Sequence, residues 1–208
     1  MGDETIIKSI KEARNNKEIK GIILRIDSGG GSALASDQMW REVLKTTDLN
    51  EASSQLDSAN IKPFISSMSD VAASGGYYIA CQSDTIMATP ATITGSIGVI
   101  GLRLNFSKLM KKWGITSDII KKGDFSDLGT GNRLVSKAER EKIQGSINDT
   151  YEKFKNRVKE GRGISSDTNI DTIAMGRVFT GKKAKDNIAI PLVDLNGGIH
   201  DAIDLIKD

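Results

Sequence analysis

The run Gly21-Ile22-Ile23-Leu24-Arg25-Ile26 leads into Gly29-Gly30-Gly31, after which Met39, Trp40, Val43 and Leu44 recur at helical spacing. A short β-branched run bounded by polar residues reads as a strand buried on both faces. Strand, glycine turn and helix in that order predict βαβ crossovers and a largely parallel sheet. The pattern returns downstream. Residues 63–68 read as the next strand and 69–73 as a turn, and Ser74-Gly75-Gly76 opens an apolar segment reaching Cys81. Residues 85–88 and 95–101 read as further short strands, 105–113 as a helix and 115–121 as a strand. Ser136 and Glu139 form a capping box opening a helix to about residue 159, with Ile143, Ile147, Tyr151, Phe154 and Val158 on one face. A second capped helix, a strand at 192–194 and a terminal helix follow. At the front, Ile6, Ile7, Ile10 and Ala13 mark a helix over 4–16 with Lys8, Lys11, Arg14 and Lys17 on its solvated face. Residues 46–60 are polar and aperiodic, an exposed connection. The class is α/β, and 208 residues fit one domain spanning 1–208.

Composition narrows the chemistry. With 29 basic against 27 acidic side chains, charge balance makes no case for a nucleic-acid or anionic-membrane partner, which would need a clustered basic face. A single cysteine, Cys81, excludes an intrachain disulfide and any multi-cysteine metal site, and a single histidine, His200, excludes most others. No metal and no organic cofactor is expected. Met1-Gly2-Asp3-Glu4 is acidic with no apolar run behind it, unlike a secretory signal, and Ile6 stands where a myristoylation motif needs Ser or Thr. The longest apolar stretches, such as 97–102, fall far short of the ~20 residues that span a bilayer. The segment as it stands reads as soluble, and its abrupt amphipathic start reads as a piece of a longer chain.

Two glycine motifs imitate nucleotide sites and fail. Gly29 and Gly31 begin a G-x-G-x-x-G that ends on Leu34, and Gly176 to Gly181-Lys182 resembles a P-loop in which Lys183 replaces the magnesium-binding hydroxyl. Glycine turns between strand and helix can instead present backbone N–H groups to a developing oxyanion. Ala72-Ala73-Ser74-Gly75-Gly76 has the small residues that let a backbone turn sharply around an exposed hydroxyl. Ser74 is then either a helix N-cap or a nucleophile. His200 lies among Gly198, Asp201 and Ala202 in the terminal helix, a surface position. The remaining base is a desolvated lysine, which spacing does not locate.

Arg25-Ile26-Asp27-Ser28-Gly29-Gly30-Gly31, Ala72-Ala73-Ser74-Gly75-Gly76-Tyr77-Tyr78-Ile79 and Thr94-Gly95-Ser96-Ile97-Gly98-Val99 together resemble the signal peptide peptidase A, or protease IV, family. Gly176-Arg177-Val178-Phe179-Thr180-Gly181, Ala184 and Leu192-Val193-Asp194 extend the similarity over nearly the whole chain. The resemblance implies a Clp-protease/crotonase-like spiral of ββα units with a mostly parallel sheet. It implies a serine endopeptidase of Ser/Lys type that cuts hydrophobic peptides such as remnant signal peptides, at the cytoplasmic membrane periphery and as a homo-oligomer. By position, Ser74 is the nucleophile, the amides of Gly30 and Gly75 the oxyanion hole, and Ser96 the residue that holds the lysine. Residues 29–32 and 97–101 would pair with an extended peptide, with Val71, Ile100 and Leu102 as pocket walls.

Two departures stand out. Gly29 replaces a frequent proline, which loosens the turn that fixes the Gly30 amide. Ser126 stands where single-domain members carry their lysine. In long, duplicated members the C-terminal half supplies the serine and the N-terminal half the lysine, and this chain resembles the C-terminal half. The base is therefore expected from a preceding homologous half or a partner chain, with Lys121 and Lys122 as in-chain substitutes and lost activity as the remaining option. The rival readings are a non-catalytic peptide-binding or assembly domain of the same fold, and a crotonase-like acyl-CoA enzyme using the amides without a nucleophile.

Overall fold

The computed structural model describes residues 2–48, 61–186 and 190–207. The chain divides into two compact units, Met1–Gly98 with Glu152–Asp208, and Val99–Tyr151. Of the connection expected at 46–60, residues 46 and 47 belong to a helix and 49–60 lie outside the described residues.

The first unit is built on a six-stranded sheet: β1 (Ile22–Ser28), β2 (Phe64–Ala73), β3 (Thr85–Ala88), β4 (Ile93–Gly95), β5 (Val178–Thr180) and β6 (Leu195–Asn196). Every pairing is parallel except β4 with β5. Strand β2 is the spine. β1 follows one of its edges, while the other edge is shared, β3 pairing with 65–68 and β4 with 71–73. The register slips at the point where that edge changes hands: Ile26 faces Met68, but Ser28 faces Ala72. Asp27 Oδ1 accepts the Val71 N–H across the irregularity at 3.3 Å. A bulge bends and twists its strand, so one strand can serve two differently aimed neighbours and the sheet curls. The turn expected at 69–73 is therefore strand.

Alternation along β1 and β2 builds a core on each face. Ile22 and Phe64 pack with Ile10 of α1 (Asp3–Asn15) and Val43 of α2 (Ala33–Thr47). Ile65, one residue on, packs with Met87 and with Ala202 of the terminal helix Ile199–Leu205. Buried charges are paired. Arg14 meets Glu42 at 3.0 Å, and Lys62 closes the end of α1 by donating to the Ala13 and Asn16 carbonyls. The strand expected at 95–101 begins earlier and ends at Gly95. The one expected at 192–194 is displaced to Leu195–Asn196; just before it Asp194 ties to β3 twice, its N–H donating to the Ile86 carbonyl and its carboxylate accepting the Ile86 N–H.

The second unit holds the short helix Ser107–Lys112 and the first part of the long helix Lys137–Gly161. Both halves of the capping box are present: the Ser136 N–H donates to Glu139 and the Glu139 N–H to Ser136 Oγ. The strand expected at 115–121 is not formed. The Ile115 N–H turns back to the Met110 carbonyl, and the segment has no ladder partner among the described residues.

Candidate functional site: three turns at one end of the sheet

Parallel pairing decides what meets what. Ala72 is in register with Ser28 of β1 on one side and Thr94 of β4 on the other. Beyond that row the three strands end together, bringing the Gly29–Gly31 turn, Ser74 and Ser96 to one edge. Two of the turns feed helices, α2 and α3 (Gly75–Ala80). α2 is capped by Ser32, whose Oγ accepts the Ala35 N–H.

Ser74 occupies the N-cap position of α3 without acting as a cap. Its φ of 52° and ψ of −118° fall outside every basin open to an L-residue, and its side chain makes no capping hydrogen bond. The backbone is fixed at both ends, the Ser74 N–H on the Gly95 carbonyl and the Ser74 carbonyl on the Tyr78 N–H, each at 2.9 Å. Ser74 is left half-buried, its hydroxyl without a hydrogen-bond partner among the described residues.

Strain is concentrated here. Among the described residues the non-glycine positions with positive φ are Ser74, Ser96 (52°) and Met175 (57°). They lie on segments hydrogen-bonded in series: Ser74 to Gly95, Ser96 to the Arg177 carbonyl at 2.7 Å, and Gly176 to the Ile97 carbonyl at 2.9 Å. Such conformations persist only where surrounding structure enforces them, and they cluster at working sites. Ser96 thus comes to the same edge as Ser74. Met175 has no signal in the sequence beyond the glycine that follows it.

The glycine turn is pressed onto the elbow. Gly30 has φ +100°, and a Cβ there would stand 2.7 Å from the Gly75 nitrogen and 2.8 Å from Ser74 Cβ. A Cβ on Gly75 would meet the Gly30 Cα at 3.2 Å and the Gly31 nitrogen at 3.3 Å. Only glycine lets these backbones approach so closely. The turn that lacks proline is stapled another way, the Gly30 N–H donating to Ser28 Oγ at 3.1 Å. Gly31, whose amide nitrogen lies against Gly75, is the member of the triplet that sequence reasoning passed over.

Helix α3 is tied from below by its tyrosines. The Tyr77 hydroxyl donates to the buried Leu192 carbonyl at 3.1 Å, and the Tyr78 hydroxyl to Asp37 Oδ1 at 2.7 Å. Asp37 also takes Lys153 at 2.7 Å and lies 3.6 Å from Arg157, whose guanidinium sits 3.8 Å from the Trp40 ring centroid. Burial works to raise the Asp37 carboxyl, but the hydrogen bonds from Lys153 and Tyr78 outweigh it and hold the group below its usual range. Burial, reinforced by the facing carboxylate, pushes the Tyr78 phenol up. Burial also pushes the Cys81 thiol up to about 12, so the chain's one thiol stays protonated.

Within this unit no basic side chain among the described residues hydrogen-bonds the Ser74 hydroxyl, and His200 is exposed on the terminal helix. The other named residues belong to the second unit. Lys121 Nζ donates to Asp127 Oδ1 at 2.9 Å and to the Asp124 carbonyl at 3.3 Å. Asp127 is shared with Arg133, which also forks onto Glu139. Lys122 is exposed. Ser126 Oγ donates to the Gly123 carbonyl, and Lys121, Lys122 and Ser126 line a cleft of about 400 Å³. Ile100 and Leu102 are almost fully exposed, and Val71 is half-buried in the first unit. Among the described residues no group of His, Cys, Asp and Glu forms a metal site.

Comparison with known proteins gives this geometry a context. Over 98% of its length the chain is 39% identical to "Serine protease SPPA, chloroplastic" of Arabidopsis thaliana, covering 28% of that protein. It is 35% identical over 98% of its length to "Putative signal peptide peptidase SppA" of Enterococcus faecium, covering 55% of it. It is 34% identical over 97% to "Protease 4" of Haemophilus influenzae, covering 30%. The chain thus spans roughly a quarter to a half of these relatives. Among solved structures, a ClpP1 mutant from Listeria monocytogenes superposes with a TM-score of 0.60 at 14% identity, over 97% of this chain and 86% of that one, so the fold is that of Clp protease. The sequence profile of Peptidase family S49 matches residues 57–208, which include the strained serine, Ser96 and the strands that aim them, and the chain belongs to that family.

Proposed function

We propose that this chain is the serine-bearing catalytic domain of a signal-peptide-peptidase-like endopeptidase working at the cytoplasmic membrane periphery. The observation that carries the reading is Ser74, held in a strained elbow with an unengaged hydroxyl against the Gly30–Gly31 turn. Ser74 Oγ attacks a peptide carbonyl while a neutral lysine takes its proton. The oxyanion forms between the Gly75 amide and the glycine turn, the amine leaves with a proton from the lysine, and water releases the acyl group. With its amide already on Ser28 Oγ, Gly30 serves the oxyanion once that bond is exchanged, and the Gly31 amide is the neighbouring donor.

The lysine comes from outside this chain, from a preceding homologous half or a partner in a homo-oligomer. Lys121 supports this by what it already does: its Nζ donates to Asp127 Oδ1 and to the Asp124 carbonyl within its own unit. Ser126, at the family's lysine position, is a hydroxyl turned onto its own loop. Substrates are extended hydrophobic peptides, which pair with the backbone at 29–32 and 97–101.

A fluorophosphonate probe tests the reading on the isolated chain and on the full-length protein, each beside Ser74→Ala, from pH 6 to 10. The expected result is negligible labelling of the isolated chain, and labelling of the full-length protein that needs Ser74 and rises through one ionisation. Labelling of the isolated chain through one ionisation would move the base to Lys122 or Lys121. No Ser74-dependent labelling in the full-length protein would overturn the enzyme reading in favour of a non-catalytic peptide-binding or assembly domain.

A further inference from the structure

The turn that leads into β5 carries a charged side chain that the chemistry at Ser74 leaves unexplained. β4 and β5 are in register at Gly95 and Val178, and just beyond that pair the two backbones interlock. The Ser96 N–H donates to the Arg177 carbonyl at 2.7 Å, and the Gly176 N–H to the Ile97 carbonyl at 2.9 Å. A Cβ on Gly95 would stand 3.0 Å from the Arg177 carbonyl oxygen, and one on Gly98 would stand 3.0 Å from both Cα and N of Gly176. Segment 174–177 is therefore the mould against which Ser96 takes its φ of 52°. One atom holds that mould. Arg177 Nη1 donates to the Asp171 carbonyl and, at 3.2 Å, to the Ala174 carbonyl. Ile173 and Ala174 are buried, whereas Met175, Gly176 and Arg177 are exposed. Packing thus anchors the start of the turn and leaves its exposed end to the Arg177 side chain.

What the mould presents is a hydroxyl. Ser96 is half-buried and directly follows Gly95, whose carbonyl holds the Ser74 N–H. Its Oγ has no hydrogen-bond partner among the described residues. A serine released from positive φ relaxes into a broader basin, and that rotation carries its hydroxyl away from the edge it shares with Ser74. We infer that Arg177 is a positioning residue: by closing the 171–177 turn it holds Ser96 at positive φ and so aims the Ser96 hydroxyl at the amine that serves Ser74. The inference rests on the proposed function, since that amine is the lysine supplied from outside this chain. Arg177 itself touches no reacting atom and acts only through Ser96.

The test uses the full-length protein, with Ser74 labelled by a fluorophosphonate from pH 6 to 10. Arg177→Ala, Arg177→Lys, Ser96→Ala and the double variant Arg177→Ala/Ser96→Ala are compared with the unaltered protein. Loss of folded protein lowers the labelled fraction and leaves the ionisation midpoint alone, whereas a displaced hydroxyl alters the surroundings of the amine and moves the midpoint. Arg177→Ala is expected to slow labelling on the order of 10- to 100-fold, the scale of a misplacement of up to about 1 Å. It should also move the midpoint in the same direction as Ser96→Ala. Because both act through one hydroxyl, the double variant should label like Ser96→Ala alone. A single nitrogen makes both side-chain bonds, so the ammonium of Arg177→Lys should restore most of the rate and the midpoint. Hydrogen exchange gives a readout apart from the reaction: protection over 95–98 should fall in Arg177→Ala and hold in Arg177→Lys. If Arg177→Ala does not fold, Arg177→Gln keeps a shorter donor and should show the same changes at smaller size. Labelling of Arg177→Ala at the unaltered rate overturns the inference. So does slower labelling with an unmoved midpoint and a multiplied loss in the double variant, or unchanged protection over 95–98. Absence of Ser74-dependent labelling in the unaltered protein is a separate outcome, which overturns the proposed function and this role with it.

Discussion

A serine forced to φ 52° and ψ −118° costs stability, and the cost is measurable. Strain of this kind amounts to about 1–3 kcal/mol for a residue with a Cβ, and glycine is spared it. Ser74→Ala keeps the strain and loses the hydroxyl; Ser74→Gly loses both. The glycine variant is expected to be more stable than the alanine variant by about 1 kcal/mol in thermal denaturation, after the entropy it gains when unfolded. Neither should label. Equal stability of the two would mean that the elbow is relaxed and that Ser74 is an ordinary turn residue. The elbow was legible in sequence because Ala72, Ala73, Gly75 and Gly76 leave little else for the chain to do. The matching conformation of Ser96 was not. It arises from the exchange of hydrogen bonds with Arg177 and Gly176, some eighty residues away, and no local propensity encodes it.

A six-residue helix has too few internal hydrogen bonds to stand alone, so α3 depends on what holds it. Its two phenols do so unequally. Tyr77→Phe leaves the buried Leu192 carbonyl without its donor, a loss of about 1–3 kcal/mol. Tyr78→Phe leaves Asp37 still paired with Lys153, and the expected loss is nearer 1 kcal/mol. Urea unfolding of the two variants should rank them in that order; the reverse order would mean that the Asp37 cluster is the main tether. The same scale shows where pattern reading fails. The expected strand ends at Met68, with a turn at 69–73 that takes in the polar Ser69 and Asp70. The slip opposite Asp27 carries the strand through those polar residues, which a tertiary contact rather than a propensity explains. Residues 115–121 have the composition of a strand and no ladder, because a strand is a property of two segments and composition describes one.

At the scale of the whole molecule, the two units are held by different forces. The first buries Phe64, Met68, Tyr77 and Ile86 around a sheet. The second exposes most of its large apolar side chains and centres on charge, with Lys121, Asp127, Arg133 and Glu139 joined in one chain of ion pairs. Hydrogen bonds from Arg133 and the Ser136 amide pull Glu139 down to about 2, and those from Arg133 and Lys121 hold Asp127 well below its usual range. Both carboxyls are depressed on folding, so their contribution is full above the unfolded carboxylate values near 4 and is lost as pH falls towards the folded ones. The second unit is therefore expected to open in acid before the sheet does. Hydrogen exchange, corrected for its intrinsic pH dependence, should show protection over 121–139 falling between about pH 4.5 and pH 2 while β2 stays protected. Arg133→Met removes the common partner and leaves two carboxylates crowded without it. In that variant protection over 121–139 is already low at pH 7, and acid lowers it by less, because only the Lys121–Asp127 pair and the Ser136–Glu139 cap remain to be broken. Simultaneous loss of protection in β2 and 121–139 in the unaltered chain would show that the two units unfold as one, and that the ion-pair chain supports the sheet as well.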